Sequence, residues 1–68
     1  MLPAQHPLMR AAAARPAEFL RWVFDGWDDG TGEAKMTATY PDERQRAYAM
    51  ALMLVQDGFH HLPHWLAP

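Results

Sequence analysis

Two stretches of this 68-residue chain are apolar around more than half of a helical circumference, and nothing else in it constrains the fold as much. Residues 16–27 (PAEFLRWVFDGW) start with Pro16 at a first helical position and Glu18 in the first turn, where a carboxylate favours the helix dipole. Glu18, Arg21, Asp25 and Asp28 fall on one narrow stripe, with Arg21 in i,i+3 and i,i+4 reach of Glu18 and Asp25. Phe19, Leu20, Trp22, Val23, Phe24 and Trp27 cover roughly 200° of the rest, about twice what one core requires. Residues 42–57 repeat the pattern. Pro41-Asp42-Glu43 is a start signal and Gly58 a stop. Ala47, Tyr48, Met50, Ala51, Leu52, Leu54 and Val55 again fill roughly 200°, while Met53 lands on the polar side near Arg46 and Asp57.

A chain this short hides only about 60% of the surface its unfolded form exposes. With no cysteine, neither a disulfide nor a thiolate metal site can staple it. A lone monomer is expected to be marginal, and the surplus apolar surface calls for a second body. Half of the residues are apolar, including three tryptophans, three phenylalanines and two tyrosines, which is far from the composition of a disordered chain.

Between the two helical stretches, the segment 28–33 (DDGTGE) reads as an acidic glycine-bearing turn. Residues 34–40 then alternate: Ala34, Met36, Ala38 and Tyr40 one way, Lys35, Thr37 and Thr39 the other. With two threonines and a tyrosine this predicts a short strand. Its backbone groups need a partner, and the same strand of a second copy is the simplest one. Residues 1–15 read as an arm or a short helix, with Pro7 suited to a first helical position and Pro16 disfavouring helical geometry at Arg15. Residues 58–68 read as a tail packed back over the helices through Phe59, Leu62, Trp65 and Leu66. The expected fold is therefore mainly α: one small helical domain over 1–68, helix–strand–helix, with helices at 16–27 and 42–57 and one short strand at 34–40. Two copies are expected to form an intertwined or side-by-side homodimer, two-fold symmetry being the simplest closure of self-complementary patches.

Net charge is −2, and no basic block of the kind that tracks a phosphate backbone is present. The longest uncharged apolar run, Ala47 to Val55, is far below the roughly 20 residues of a membrane span. Arg10 and Arg15 precede any acid, as in a transit peptide, but no secretory apolar core accompanies them. A cytoplasmic location is expected.

Catalysis is disfavoured. Serine and cysteine are absent, leaving three threonines as hydroxyl nucleophiles, and the Asp42-Glu43 pair sits at an exposed helix start. His60, His61 and His64 invite a metal reading, yet Pro63 interrupts them and no third fixed ligand is evident. Residues 25–36 (DGWDDGTGEAKM) resemble a calcium loop of the EF-hand type at Asp25, Asp29 and Gly30. Trp27 replaces the third-position acid and Met36 the closing glutamate, so the oxygen ring cannot close. No catalytic residue, metal or cofactor is expected.

Lys35 to Tyr40 followed by Pro41-Asp42-Glu43 resembles the start of a ribbon-helix-helix repressor, a family whose dimeric strands read the DNA major groove. That resemblance implies Lys35, Thr37 and Thr39 as base-reading residues. The chain departs from the family after Gly58, where a second full helix should stand. The excess of aromatic and methionine side chains points elsewhere: Trp22, Phe24, Trp27, Tyr48, Met50, Leu52, Met53 and Trp65 are the expected partner-binding residues, of the types that dominate interface energetics or adapt to varied surfaces. The leading expectation is a non-enzymatic protein–protein interaction module contacting itself and another protein. Its size and Ala-, Arg-, Pro- and Trp-rich composition are similar in style to small inhibitors or adaptors encoded by phages and mobile elements of GC-rich bacteria. A dimeric DNA-binding regulator and a structural subunit of a larger assembly are the alternatives.

Overall fold

The computed structural model describes residues 3–67. A 3-10 turn (Pro3–Gln5) leads into four α-helices, α1 (Pro7–Ala14), α2 (Pro16–Trp27), α3 (Thr31–Thr39) and α4 (Glu43–Gln56), and a second 3-10 turn (His64–Leu66) closes the tail. Among the described residues no helix is long and apolar enough to cross a membrane.

The breaks between helices have local causes. His6 caps α1, its Nδ1 accepting the Leu8 amide at 3.1 Å, and Pro7 occupies the first turn, where a missing N–H costs nothing. Pro16 pushes Arg15 out of helical geometry (φ −138°, ψ 67°), so α1 ends and α2 begins at one residue. Asp42 caps α4 by accepting the amides of Arg44 (2.8 Å) and Gln45 (3.1 Å). At the other end Gly58 takes φ +87°, its amide bonds to Val55 O (3.0 Å) and the Phe59 amide to Leu54 O (2.9 Å). This is the paired-bond Schellman termination, which satisfies carbonyls the helix leaves open.

The core is built where α1, α2 and α4 meet. Phe19, Leu20, Val23 and Phe24 enter it from α2, Leu8, Met9, Ala11 and Ala12 from α1, and Leu66 seals it from the tail. α4 contributes to the fully buried set only Ala47 and Ala51, both 0% exposed. These lie one turn apart on the same face, and with Ala11 and Ala12 of α1, against which α4 packs most extensively, they give the core a set of small side chains. Small residues let two backbones approach closely, so the larger side chains of α4 are turned partly or wholly outward. Within the alanine run of α1, Ala11 and Ala12 thus belong to the packed interior, and Ala13 and Ala14 are exposed. The tail is tied to the α1–α2 junction by Arg15 Nη1, which donates to Trp65 O at 2.6 Å.

The strand expected at 34–40 is absent: those residues belong to α3, and the described residues contain no strand at all. Two causes favour the helix. Asp28 turns its carboxylate back over the helix start and accepts the amides of Gly30 (3.0 Å), Gly32 (3.1 Å) and Glu33 (2.9 Å), donors a helix otherwise leaves unpaired. Thr37 and Thr39, the residues that favoured a strand, are accommodated in the helix, their hydroxyls donating to the carbonyls of Glu33 (2.8 Å) and Lys35 (2.9 Å), four residues back. Finally, a helix satisfies its own backbone, whereas a strand here would have no neighbour. The C-terminal end is held by Arg46, whose Nη1 donates to Tyr40 O (2.6 Å) and Pro41 O (3.2 Å). The interstrand ribbon imagined for an intertwined dimer goes with the strand.

Candidate docking groove

α3 buries none of its residues, yet half-buried Met36 leans on the core and makes α3 one side of a groove. Val23, Phe24 and Trp27 of α2 form a second side, at i, i+1 and i+4, and Met50, Met53 and Leu54 of α4 a third, at i, i+3 and i+4. The groove encloses about 290 Å³, and its only ionisable lining residues are Asp28 and Lys35. Trp27 (51% exposed) and Met53 (48% exposed) stand at its edges.

Trp27 is exposed without being loose. Its ring lies edge-on to Trp22 (centroids 4.7 Å, 76°) and to Phe59 (5.2 Å, 73°), and Trp22 in turn meets the fully buried Phe19 at 5.7 Å. Edge-to-face aromatic pairs add about 0.5–1.5 kcal/mol beyond area burial, so this chain of rings fixes the indole in place before anything binds. An ordered, half-exposed tryptophan loses little freedom on contact, which is why such residues dominate interface energetics.

The eight expected partner-binding residues separate into groups. Phe24, Trp27, Met50 and Met53 converge on the groove, with Trp22 adjoining through Trp27. Phe24 is itself 7% exposed, so its main role is core packing and only its edge floors the groove. Tyr48 and Leu52 lie on another side of α4 with Tyr40 and Ala49, around a shallow depression. Trp65 stands apart on the tail, near Arg21, Trp22 and Gly26. Met36, Val23 and Leu54 were not among the expected site residues. Once 31–39 is helical, Met36 is the one large apolar side chain on α3, and that would have singled it out.

Lys35, Thr37 and Thr39 project from a helix, not a ribbon, and both hydroxyls are committed to the backbone. The geometry on which a ribbon-helix-helix reading depends is therefore missing. The acidic turn is committed in the same way. The Glu33 amide, followed by those of Gly32 and Gly30, holds the Asp28 carboxyl below its ordinary value, against some desolvation and the neighbouring Asp29 charge. The Thr31 hydroxyl and amide do likewise for Asp29. Among the described residues no three His, Asp or Glu side chains come together as metal ligands. His6 Nε2 lies 2.8 Å from His60 Nδ1, and because His6 Nδ1 accepts the Leu8 amide, His6 is the donor of that pair. His61 stands edge-on to Phe59 at 6.2 Å.

A second cleft, of about 360 Å³, lies across α2 and is lined by Arg21, Asp25, Glu33, Glu43 and Arg46 among others. Its charges are of both signs, and Arg46 is already engaged by two carbonyls, so it presents no convergent set of donors for one ligand class. The groove around Trp27 is the better candidate. Compared with protein families, curated proteins and solved structures, the chain matches none.

Proposed function

We propose that this protein is a non-enzymatic binding module whose groove between α2, α3 and α4 takes an apolar segment of another protein. The observation that carries this reading is Trp27, half exposed, locked between Trp22 and Phe59, and facing a wall of methionines. Large exposed side chains that form a continuous patch mark interaction sites, whereas scattered ones do not. Trp27, Trp22 and Phe59 form one aromatic surface, and Trp27 joins it to Met53, Met50 and Met36. Methionine adds a flexible, polarizable wall that adjusts to an incoming side chain.

The test compares proteins retained from the native host by the wild type, by Trp27→Ala and by Tyr48→Ala, all folded by circular dichroism. A partner held through the groove is lost with Trp27→Ala, where truncating an interface tryptophan costs about 2–4 kcal/mol, and kept with Tyr48→Ala. The same retained set for all three proteins would remove the groove from consideration.

A further inference from the structure

We infer that His6 and His60 form an acid-sensitive clasp, which ties the C-terminal tail to the start of α1 and opens when either ring takes up a proton. The clasp stands apart from the groove and from whatever the groove binds.

The geometry fixes where each hydrogen of the neutral pair sits. His6 Nδ1 accepts the Leu8 amide at 3.1 Å, so the ring carries its own hydrogen on Nε2. That Nε2 lies 2.8 Å from His60 Nδ1, which is then the acceptor and leaves His60 its hydrogen on Nε2. With ring centroids 5.0 Å apart, the two imidazoles meet end to end and do not stack. A further proton has two nitrogens to go to, and both are in use. On His6 Nδ1 it displaces the Leu8 amide and puts a cation at the start of α1, where the helix dipole disfavours one. On His60 Nδ1 it removes the acceptor of the clasp. Each protonated form therefore lacks one bond that the neutral pair makes. The clasp is complete above the range in which imidazoles titrate and is lost as pH falls through that range.

The surrounding charges do not take over its role. Among the described residues neither ring is hydrogen-bonded to a carboxylate. On the His6 side the first 3-10 turn has no ionisable group, α1 carries Arg10, and Arg15 is bonded to Trp65 O. On the His60 side stand His61, edge-on to Phe59, His64 in the last turn, and Asp57 at the end of α4. The other fastenings of the tail differ in kind: Leu66 is sealed in the core, and the Arg15 bond involves no group that titrates with imidazole. Acid therefore loosens the near end of the tail and leaves its far end seated. Phe59, next to His60, packs on Trp27 (5.2 Å) and Trp22 (5.9 Å), so it is the residue that feels the clasp open.

Amide exchange of the full chain at roughly pH 8 and pH 5, corrected for intrinsic rates, tests this. Protection of the Phe59 amide, which is bonded to Leu54 O, is expected to fall about two- to fivefold on acidification, as the loss of one exposed hydrogen bond allows. The Leu66 amide, bonded to Pro63 O, is expected to hold. His60→Gln replaces the titrating ring with a neutral amide and makes Phe59 protection independent of pH. His6→Asn keeps a capping oxygen but takes away the donor to His60, so Phe59 protection is low at both pH values. Unchanged Phe59 protection in the wild type, or an acid loss equal in wild type and His60→Gln, overturns the clasp. A loss that disappears only in His61→Gln belongs to the ring edge-on to Phe59 and overturns it too, as does an equal fall at Leu66, which is general unfolding.

Discussion

Replacing Ala51 with leucine tests the packing from which the groove arises. Ala51 is 0% exposed and lies in the core, with Ala47, Ala11 and Ala12 as its fellow small residues. Leucine adds three carbons at a position that has no exposed surface to receive them. Overpacking of this kind costs about 1–3 kcal/mol, and the upper half of that range applies because α1 cannot shift without dragging Arg15 and its bond to Trp65 O. In a domain this small, about 2 kcal/mol is a large part of total stability and lowers the melting temperature by roughly 8–16 °C. Tyr48→Ala removes a much larger side chain from the same helix, yet Tyr48 is 50% exposed, and its loss should cost less than about 1 kcal/mol. Urea unfolding followed at 222 nm, with equal m-values for the three proteins, measures both. A neutral Ala51→Leu together with a Tyr48→Ala that loses more than about 2 kcal/mol would refute the reasoning, because α4 would then be burying its large face.

Two further perturbations address the helix ends. The folded Asp28 carboxyl titrates below its ordinary 3.8, so its support of α3 is complete above that value and is lost as pH falls through the lower, folded one. Amide resonances of Gly32 and Glu33 should shift together in that acid window, and a titration that leaves them still would count against the cap. Gly58 holds φ +87°, a region that penalises a Cβ by about 1 kcal/mol, so Gly58→Ala should destabilise by that amount and fray the last turn of α4 in hydrogen exchange.

The starts of α2 and α4 are legible because proline, an acidic first turn and an Asp cap act locally, and the end of α4 because Gly58 alone among its neighbours tolerates a left-handed φ. α3 is not legible by periodicity. A helix that buries no residue carries no apolar stripe, and its one leaning side chain, Met36, fits an alternating pattern equally well. What decides it is Asp28, whose carboxylate reaches amides two, four and five residues ahead, beyond the reach of a simple start signal. The apolar excess of α4 is legible too, but its orientation is not. Tyr48, Leu52 and Met53 have the greater hydrophobic surface, and only the alanines of α1 reveal that α4 turns its own alanines inward. For the same reason the groove was half visible in the sequence: Trp27, Met50 and Met53 stand out by type, whereas Met36 and Lys35 join them only after α3 forms.

The central claim is that small side chains are sealed inside while Trp27 and Met53 face the solvent around an open groove. A soluble paramagnetic agent, read on methyl and indole resonances of the full chain, tests it directly. The account predicts strong broadening of the Met53 methyl and the Trp27 indole N–H, with the Ala47 and Ala51 methyls spared. Broadened alanine methyls beside a protected Trp27 would contradict it.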